Sequence, residues 1–261
     1  MPEDTTVIRE VTKGVWTFSK PFSRFGVWPI GGRSTAIQLS TPTSSASTTS
    51  TDGDPSSRKT PVWVLASTPL DEPTRKKLEE LGEVQYIVGA DEVHHLFLGD
   101  YKKAYPNAKL IAPVSAIERH NDLALHFEGA WGRDPPETKY GFEDEIEHCY
   151  FSGFKNKDVA FLHKPSKSLI EADLLMNLSE MDEQYSKTTE SSKILGMKSF
   201  GATSWTQANF VWGLGTDKEA MRRDAKTVSS WDFERIIPCH GDVIEKDGKS
   251  IWAKAFKYFL D

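Results

Sequence analysis

The chain has few cysteines and no long apolar segment, and both absences narrow the class of protein. Only Cys149 and Cys239 occur among 261 residues, so no disulfide framework is expected. No apolar run approaches the roughly 18 residues that a membrane span needs, and residues 1–6 are polar and acidic. These features predict a cytoplasmic protein that neither spans nor binds a membrane.

The chain also lacks any block of like charges. Its formal charge of −6 arises from 32 basic and 38 acidic residues that are mixed along the sequence, which leaves no basic footprint for nucleic acid. We therefore expect a small-molecule substrate as the partner, and no nucleic acid. A hydrophobic content of 38% at this length is enough for one substantial core, so we expect a single domain over residues 1–261.

Large apolar residues are missing from one internal segment. Residues 41–57 are mostly Ser and Thr, and such a composition buries too little apolar surface to become ordered. Strand character resumes at Pro61. We therefore predict a disordered insertion at about residues 41–60 between two strands, which is either passive or a phosphorylated regulatory loop.

Elsewhere the chain alternates between strand and helix patterns. Asp71 and Gly82 bracket a predicted helix over 72–81, which leads into an apolar strand over 84–88. A short helix from 101 and a strand over 109–112 follow, and this alternation indicates an α/β layered domain. From residue 146, three successive strands favour an antiparallel or mixed sheet. Helices are predicted over 217–229 and 251–260, whereas residues 121–140 have no clear pattern.

Metal-ligating residue types follow three of the predicted strands. His94 and His95 come after the strand over 84–88, Asp173 follows an apolar strand, and His240 follows another. Nitrogen and oxygen ligands that arrive from separate strand ends are typical of open, catalytic zinc or iron sites, unlike the closed cysteine clusters of structural zinc. A single His or Asp in such a position is more often structural, and the set as a whole indicates a metal site.

The order of these elements resembles the metallo-β-lactamase superfamily, whose signature is His-x-His-x-Asp-His, followed by a Gly-His element, an Asp after a strand and a late His before Gly. Residues 238–242, Pro-Cys-His-Gly-Asp, resemble the late element, and residues 169–175 resemble the strand with the Asp. The resemblance covers about residues 14–250 and is similar in particular to a divergent branch with a His-His pair. It implies an αββα sandwich of two mixed β-sheets with outer helices.

The signature is degenerate in this chain. When His95 is placed on its last His, Glu92 and Ala90 fall on its first two histidines, and the Gly-His element matches Gly153 and Phe154. Neither Ala nor Phe offers a metal ligand. The resemblance therefore implies one metal ion rather than two.

That single ion, zinc or else iron or manganese, is expected to be held by His94 or His95 together with Asp173 and His240. Adjacent residues of an extended segment point to opposite sides, so at most one histidine of the pair can face a common metal unless the loop turns between them. His95 is the first choice, with His94 as a fourth ligand or as a group behind the ligands. Cys239 is expected on the other side of its strand, away from the metal.

Two further residues are candidates for moving a proton. Glu92 is a general base, a carboxylate ligand or a surface acid. His163 lies at a strand end ten residues before Asp173 and either serves as a proton carrier, replaces a lost ligand or is structural. Asp173 is expected to orient the attacking group as well as to bind the metal.

The resemblance implies a metal-dependent hydrolase that cleaves a small ester, lactone, thioester or amide through a metal-bound hydroxide. The alternative is a non-hydrolytic member, either a binding or regulatory protein with a degenerate site or a lyase with one metal. A separate motif, Gly31-Gly32-Arg33-Ser34, is either a simple hairpin turn or a loop near a carboxylate substrate.

Overall fold

The computed structural model describes residues 5–40, 59–120, 124–188 and 197–261. The strands of these residues are β1 (Val7–Thr12), β2 (Val15–Lys20), β3 (Ser23–Arg24), β4 (Trp28–Pro29), β5 (Gly32–Gln38), β6 (Pro61–Leu65), β7 (Glu83–Val88), β8 (Lys109–Pro113), β9 (Gly129–Trp131), β10 (Ile146–Tyr150), β11 (Val159–His163), β12 (Ser168–Glu171) and β13 (Arg235–Pro238). The helices are α1 (Glu72–Leu81), α2 (Leu98–Ala104), α3 (Val114–Arg119), α4 (Asp182–Tyr185), α5 (Trp205–Leu214), α6 (Lys218–Ser230), α7 (Gly248–Ala255) and α8 (Lys257–Leu260). Apart from Lys59 and Thr60, the predicted insertion lies outside the described residues.

A mixed seven-stranded sheet has the order β1-β2-β5-β6-β7-β8-β9. The β1, β2, β5 and β6 strands pair antiparallel, and the pairs from β6 to β9 are parallel. Every residue of β6 is buried, which matches its continuous apolar sequence because a strand covered on both faces has no solvent side. Helix α1 connects β6 to β7, with Asp71 accepting a hydrogen bond from the Thr74 backbone N–H as its N-cap.

The second sheet is four-stranded, with the order β10-β11-β12-β13. The first two pairs are antiparallel, and β12 pairs parallel with β13 through the register of Glu171 with Pro238. The predicted mixed sheet is thus confirmed. Because β12 and β13 run in the same direction, the residues that follow them, Asp173 and His240, emerge at the same edge.

The two sheets pack face to face around a shared core. Trp63 and Tyr86 of the larger sheet meet Phe161, Ile170 and Ile237 of the smaller one in a single apolar cluster. A second cluster joins the outer face of the larger sheet to α1, α2 and α3, and a third joins the smaller sheet to α5, α6, α7 and α8. This is the αββα sandwich that the resemblance implied.

Several element boundaries differ from the sequence predictions. Helix α1 spans the predicted 72–81, and α2 begins at Leu98, earlier than expected. The predicted C-terminal helix is two helices, α7 and α8. Among the described residues, every helix is too short or too polar to cross a bilayer.

Candidate metal centre

Three side chains from the two sheets converge at one edge of the sandwich. His94 comes from the loop after β7, Asp173 from the segment after β12, and His240 from the loop after β13. One potential ligand atom of each lies within 4.8 Å of the others. The two Nε2 atoms of the histidines are 3.2 Å apart, and Nε2 of His240 is 3.2 Å from Oδ1 of Asp173.

The Nδ1 atoms of both histidines face acceptors. Nδ1 of His94 is 2.9 Å from Asp91 Oδ1, and Nδ1 of His240 is 2.7 Å from the Gly31 carbonyl oxygen. A carbonyl or carboxylate oxygen needs a proton on the nitrogen it faces, so each neutral ring presents a lone pair at Nε2. Two such lone pairs would face each other across 3.2 Å, so either a proton or a metal ion must lie between the rings.

The spacing of these atoms fits a metal ion. Nitrogen and oxygen ligands at about 2.0–2.1 Å from a tetrahedral zinc lie about 3.3 Å from one another, close to the two separations of 3.2 Å. Asp173 Oδ1 is buried and accepts no hydrogen bond from the part of the chain that the structure describes. Two imidazoles, one carboxylate and an open fourth position form the donor set of a catalytic rather than a structural zinc site.

The other oxygen of Asp173 is already engaged. Asn156 Nδ2 donates to Oδ2 over 2.5 Å, and Nη1 of Arg24 lies 3.9 Å away. Burial alone would raise the pKa of Asp173, but the His240 and His94 rings and Arg24 hold it well below its usual range. Asp173 is therefore an ionised carboxylate with Oδ1 directed at the histidines.

His94 is protonated in the metal-free protein. Burial acts to lower its pKa, but the carboxylates of Asp91 and Asp173 outweigh burial and raise the pKa to about 9. At neutral pH a proton on Nε2 of His94 can be donated to Nε2 of His240, 3.2 Å away. This proton takes the position between the rings, and a metal ion must displace it.

Two more carboxyl groups lie behind the cluster. Asp158 and Glu171 are fully buried, and burial together with neighbouring carboxylates raises the pKa of each well above its usual range. Asp158 Oδ2 accepts the backbone N–H of Asp173 over 2.6 Å. Glu171 Oε2 accepts the backbone N–H of Leu175 over 3.0 Å, so the two carboxyl groups hold the backbone of the segment that carries Asp173.

The structure does not bring His95 or Glu92 to this cluster. The chain turns at Asp91, whose Oδ1 accepts the backbone N–H groups of Val93 and His94 over 2.7 and 2.8 Å. This turn directs His94 inward, while the His95 ring packs edge-on against His120 at 5.8 Å. Glu92 forms an ion pair with Arg119.

His163 lies at the opposite end of the smaller sheet. Because β11 and β12 are antiparallel, His163 pairs with Ser168 at the start of β12, whereas Asp173 follows the end of that strand. Its Nδ1 is 2.7 Å from the Ser166 hydroxyl. Although His163 and Asp173 are only ten residues apart in the sequence, they lie at opposite ends of the β11–β12 pair and do not form one site.

The remaining positions of the signature are apolar in the structure as in the sequence. Ala90 lies in the core between the sheets, and Phe154 lies in the core beneath the outer helices. In the described ranges, His94, Asp173 and His240 are the one group of three metal-ligating side chains whose donor atoms come this close. Asp91 and Asn156 were not predicted from the sequence, although an Asp that starts a loop after a strand is a typical turn former.

A cavity of about 240 Å³ opens onto His94 and His240. Its walls are mainly apolar, and the Phe22 ring stacks on that of His240 with 6.2 Å between centroids. Lys20, at its edge, is paired with Asp71. The other lining residues are Pro21, Arg24, Gly32, Ser67, Thr68, Pro69, Val93, Leu96 and Phe97.

The fold is that of solved metallo-β-lactamases. The chain superposes on the enzyme from Hirschia baltica with a TM-score of 0.56 and 12% identity, covering 97% of each chain. It superposes on FIM-1 from Pseudomonas aeruginosa, in its mono-zinc form, with a TM-score of 0.55 and 10% identity, covering 98% of this chain and 97% of the other. The sequence matches no protein-family model and no curated protein. The chain therefore has the metallo-β-lactamase fold.

Proposed function

We propose that this protein is a metal-dependent hydrolase with a single metal ion, zinc being the first candidate, held by His94, Asp173 and His240. The observation that carries the proposal is the pair of Nε2 atoms 3.2 Å apart, each in a ring whose Nδ1 faces an acceptor. The mono-zinc form described for FIM-1 is consistent with one ion in this fold.

A bound divalent metal would polarise a carbonyl group and lower the pKa of a water molecule. The protein's own groups prepare that chemistry. Asp91 and Gly31 fix the orientation of the two imidazoles, as partners behind metal ligands commonly do. Asn156 holds Oδ2 of Asp173, so Oδ1 is left for the metal. Since Glu92 and His163 lie elsewhere, Asp173 is the residue that we propose to orient the attacking water.

The cavity favours a small substrate with an apolar part. Phe22, Leu96 and Phe97 line it beside the two histidines, so apolar groups on either side of a scissile carbonyl would be removed from water. Arg24 supplies a positive charge near Asp173. A small ester, lactone, thioester or amide fits this combination of apolar wall and metal centre.

A non-hydrolytic function is the second candidate. Ala90 and Phe154 occupy positions where the two-metal signature has histidines, and both are buried in apolar cores. A site with one metal suits a lyase, and a site that has lost its metal suits a binding or regulatory protein.

Zinc titration of the metal-free protein tests the proposal, with neighbouring residues as matched controls. We expect one equivalent to bind to the wild type and to His95→Ala, and binding to be lost in His94→Ala and His240→Ala. Cys239→Ala should bind as the wild type does, because its sulfur points to Ser67. A wild type that takes up no zinc would refute the metal site.

Hydrolysis is tested separately. The zinc-loaded wild type should cleave members of a panel of small esters, lactones, thioesters and amides, and His94→Ala should cleave none of them. Zinc binding without turnover of any panel member would favour the non-hydrolytic alternatives.

A further inference from the structure

The loop that carries His240 is held by a buried arginine. Arg33 is fully buried, and its Nη1 donates to the carbonyl oxygens of Pro238 and Gly241 over 2.7 and 2.6 Å. Its Nε donates to the Ser19 hydroxyl over 3.0 Å. One guanidinium thus links Pro238 and Gly241, which lie on either side of His240 in the sequence.

A buried glutamine holds the same loop from another side. The Gln184 Nε2 donates to the Cys239 carbonyl over 3.0 Å, and its Oε1 accepts the Gly241 N–H over 2.9 Å. Gln184 is itself fully buried. Together, Arg33 and Gln184 bind four backbone groups within residues 238–241, so the loop has little freedom to shift.

The Gly-Gly-Arg motif joins this arrangement to the imidazole. Gly31 accepts the Nδ1 proton of His240 over 2.7 Å and has φ +68, and a Cβ there would lie 1.8 Å from Gln184 Oε1. A side chain at Gly31 would therefore be strained and would also displace Gln184. Beyond the hairpin turn or substrate loop that the sequence indicated, the motif contacts the His240 loop directly through Gly31 and Arg33.

Stability alone is a poor explanation for this arrangement. Removing a guanidinium from water is costly, and a buried ion pair is often no more stabilising than apolar residues of the same volume. Arg33 is compensated by Glu183, 3.4 Å from its Nη2, and Glu183 is in turn bound by Arg9 and Ser19. What this network provides is a fixed geometry at the His240 loop.

We propose that Arg33 and Gln184 are positioning residues that hold Nε2 of His240 at the metal centre. Neither residue is among the three proposed ligands, and both act through the backbone of residues 238–241. A metal site needs its ligands fixed to within about 0.5 Å, and loss of supporting partners typically lowers metal affinity by about 10–100-fold. The inference rests on the proposed metal site.

Gln184→Met tests the role with a matched control. Methionine has nearly the same volume but makes neither hydrogen bond to the loop. Gln207 is also fully buried, and its side-chain amide has no hydrogen-bond partner within the described ranges. Gln207→Met therefore makes the same substitution at a buried position outside the proposed metal site. We expect Gln184→Met to bind zinc about 10–100-fold more weakly and Gln207→Met to bind it as the wild type does.

A second readout does not depend on metal. In the metal-free wild type, ¹H–¹⁵N NMR of the histidine rings should show a proton on Nδ1 of His240, donated to Gly31. In Gln184→Met this signal should weaken or shift as the loop moves, and in Gln207→Met it should not. A wild type without zinc affinity would refute the metal site while leaving this comparison intact.

Arg33→Lys covers the case in which Gln184→Met fails to fold. Lysine keeps the charge beside Glu183, but its single ammonium lacks the planar fork that reaches two carbonyl groups and Ser19. The same loss of zinc affinity and the same change in the His240 signal are expected. Folded variants that match the wild type in both measurements would overturn the positioning role.

Discussion

At the residue scale, the environment of His94 depends on Asp91. The buried Asp91 carboxylate accepts the backbone N–H groups of Val93 and His94 as well as His94 Nδ1. It therefore sets both the path of the chain and the orientation of the ring. A carboxylate behind a ligating histidine also raises the basicity of the other ring nitrogen.

Asp91→Asn should weaken zinc binding by about 10-fold or more. The amide oxygen can still accept hydrogen bonds, but the negative charge that strengthens His94 as a ligand is lost. Zinc titration followed by calorimetry measures the change, and circular dichroism checks the fold. Glu92→Gln is the control, because Glu92 is paired with Arg119 outside the cluster. Equal zinc affinities for the two variants would contradict this role of Asp91.

The sequence predicted Asp173, His240 and the histidine pair, but it favoured His95 over His94. His95 is the residue placed on the last His of the signature, and the expectation that only one of the pair faces the metal assumed an extended segment, in which adjacent side chains face opposite sides. The hydrogen bonds from Val93 and His94 to Asp91 replace that geometry with a turn. Local turn chemistry thus decides which imidazole faces inward, and the residue types alone do not specify it.

At the element scale, the end of β11 carries a buried histidine that responds to acid. Burial lowers the pKa of His163 to about 4, although the Glu145 carboxylate acts in the opposite direction. Above about pH 6.5, the ring is neutral in both the folded and the unfolded chain. Below that pH the unfolded chain binds a proton that the folded chain does not, so the free energy of unfolding falls until the pH reaches about 4.

His163→Gln should therefore lose less stability than the wild type between about pH 6.5 and 4, by up to about 3 kcal/mol. Urea denaturation at a series of pH values measures the difference. The exposed His126 provides the control, since His126→Gln removes a histidine that is hydrated in both states. Parallel pH profiles for the wild type and His163→Gln would show that His163 is not the acid-sensitive group.

Elements with a strong pattern were predicted well from sequence. Helix α1 has a cap at each end, β6 is a short apolar run that is buried throughout, and β7 ends in the buried apolar residues 86–88. Helix α5 was missed because the polar and apolar residues of Trp205–Leu214 do not separate onto two faces. Strand β9 has three residues, too few for a periodic pattern to be recognised.

At the scale of the whole molecule, the proposed ligands join the two sheets. His94 belongs to the larger sheet, and Asp173 and His240 belong to the smaller one. The family resemblance suggested that these three residues converge. Their spacing in the sequence alone could not predict this convergence, because it depends on how the two sheets pack, for example through the Trp63 and Phe161 rings, whose centroids are 5.1 Å apart. A metal bound there would link the sheets at one edge.

Zinc should therefore stabilise the folded protein as a whole. A ligand that binds only the folded state at a concentration 100 times its dissociation constant adds about 2.7 kcal/mol to the free energy of unfolding. Urea denaturation with buffered zinc and with a chelator measures this increment. It should be present in the wild type and in His95→Ala and absent in His94→Ala, because the His95 ring packs against His120 rather than entering the cluster. An equal increment in His94→Ala would mean that zinc binds elsewhere on the protein.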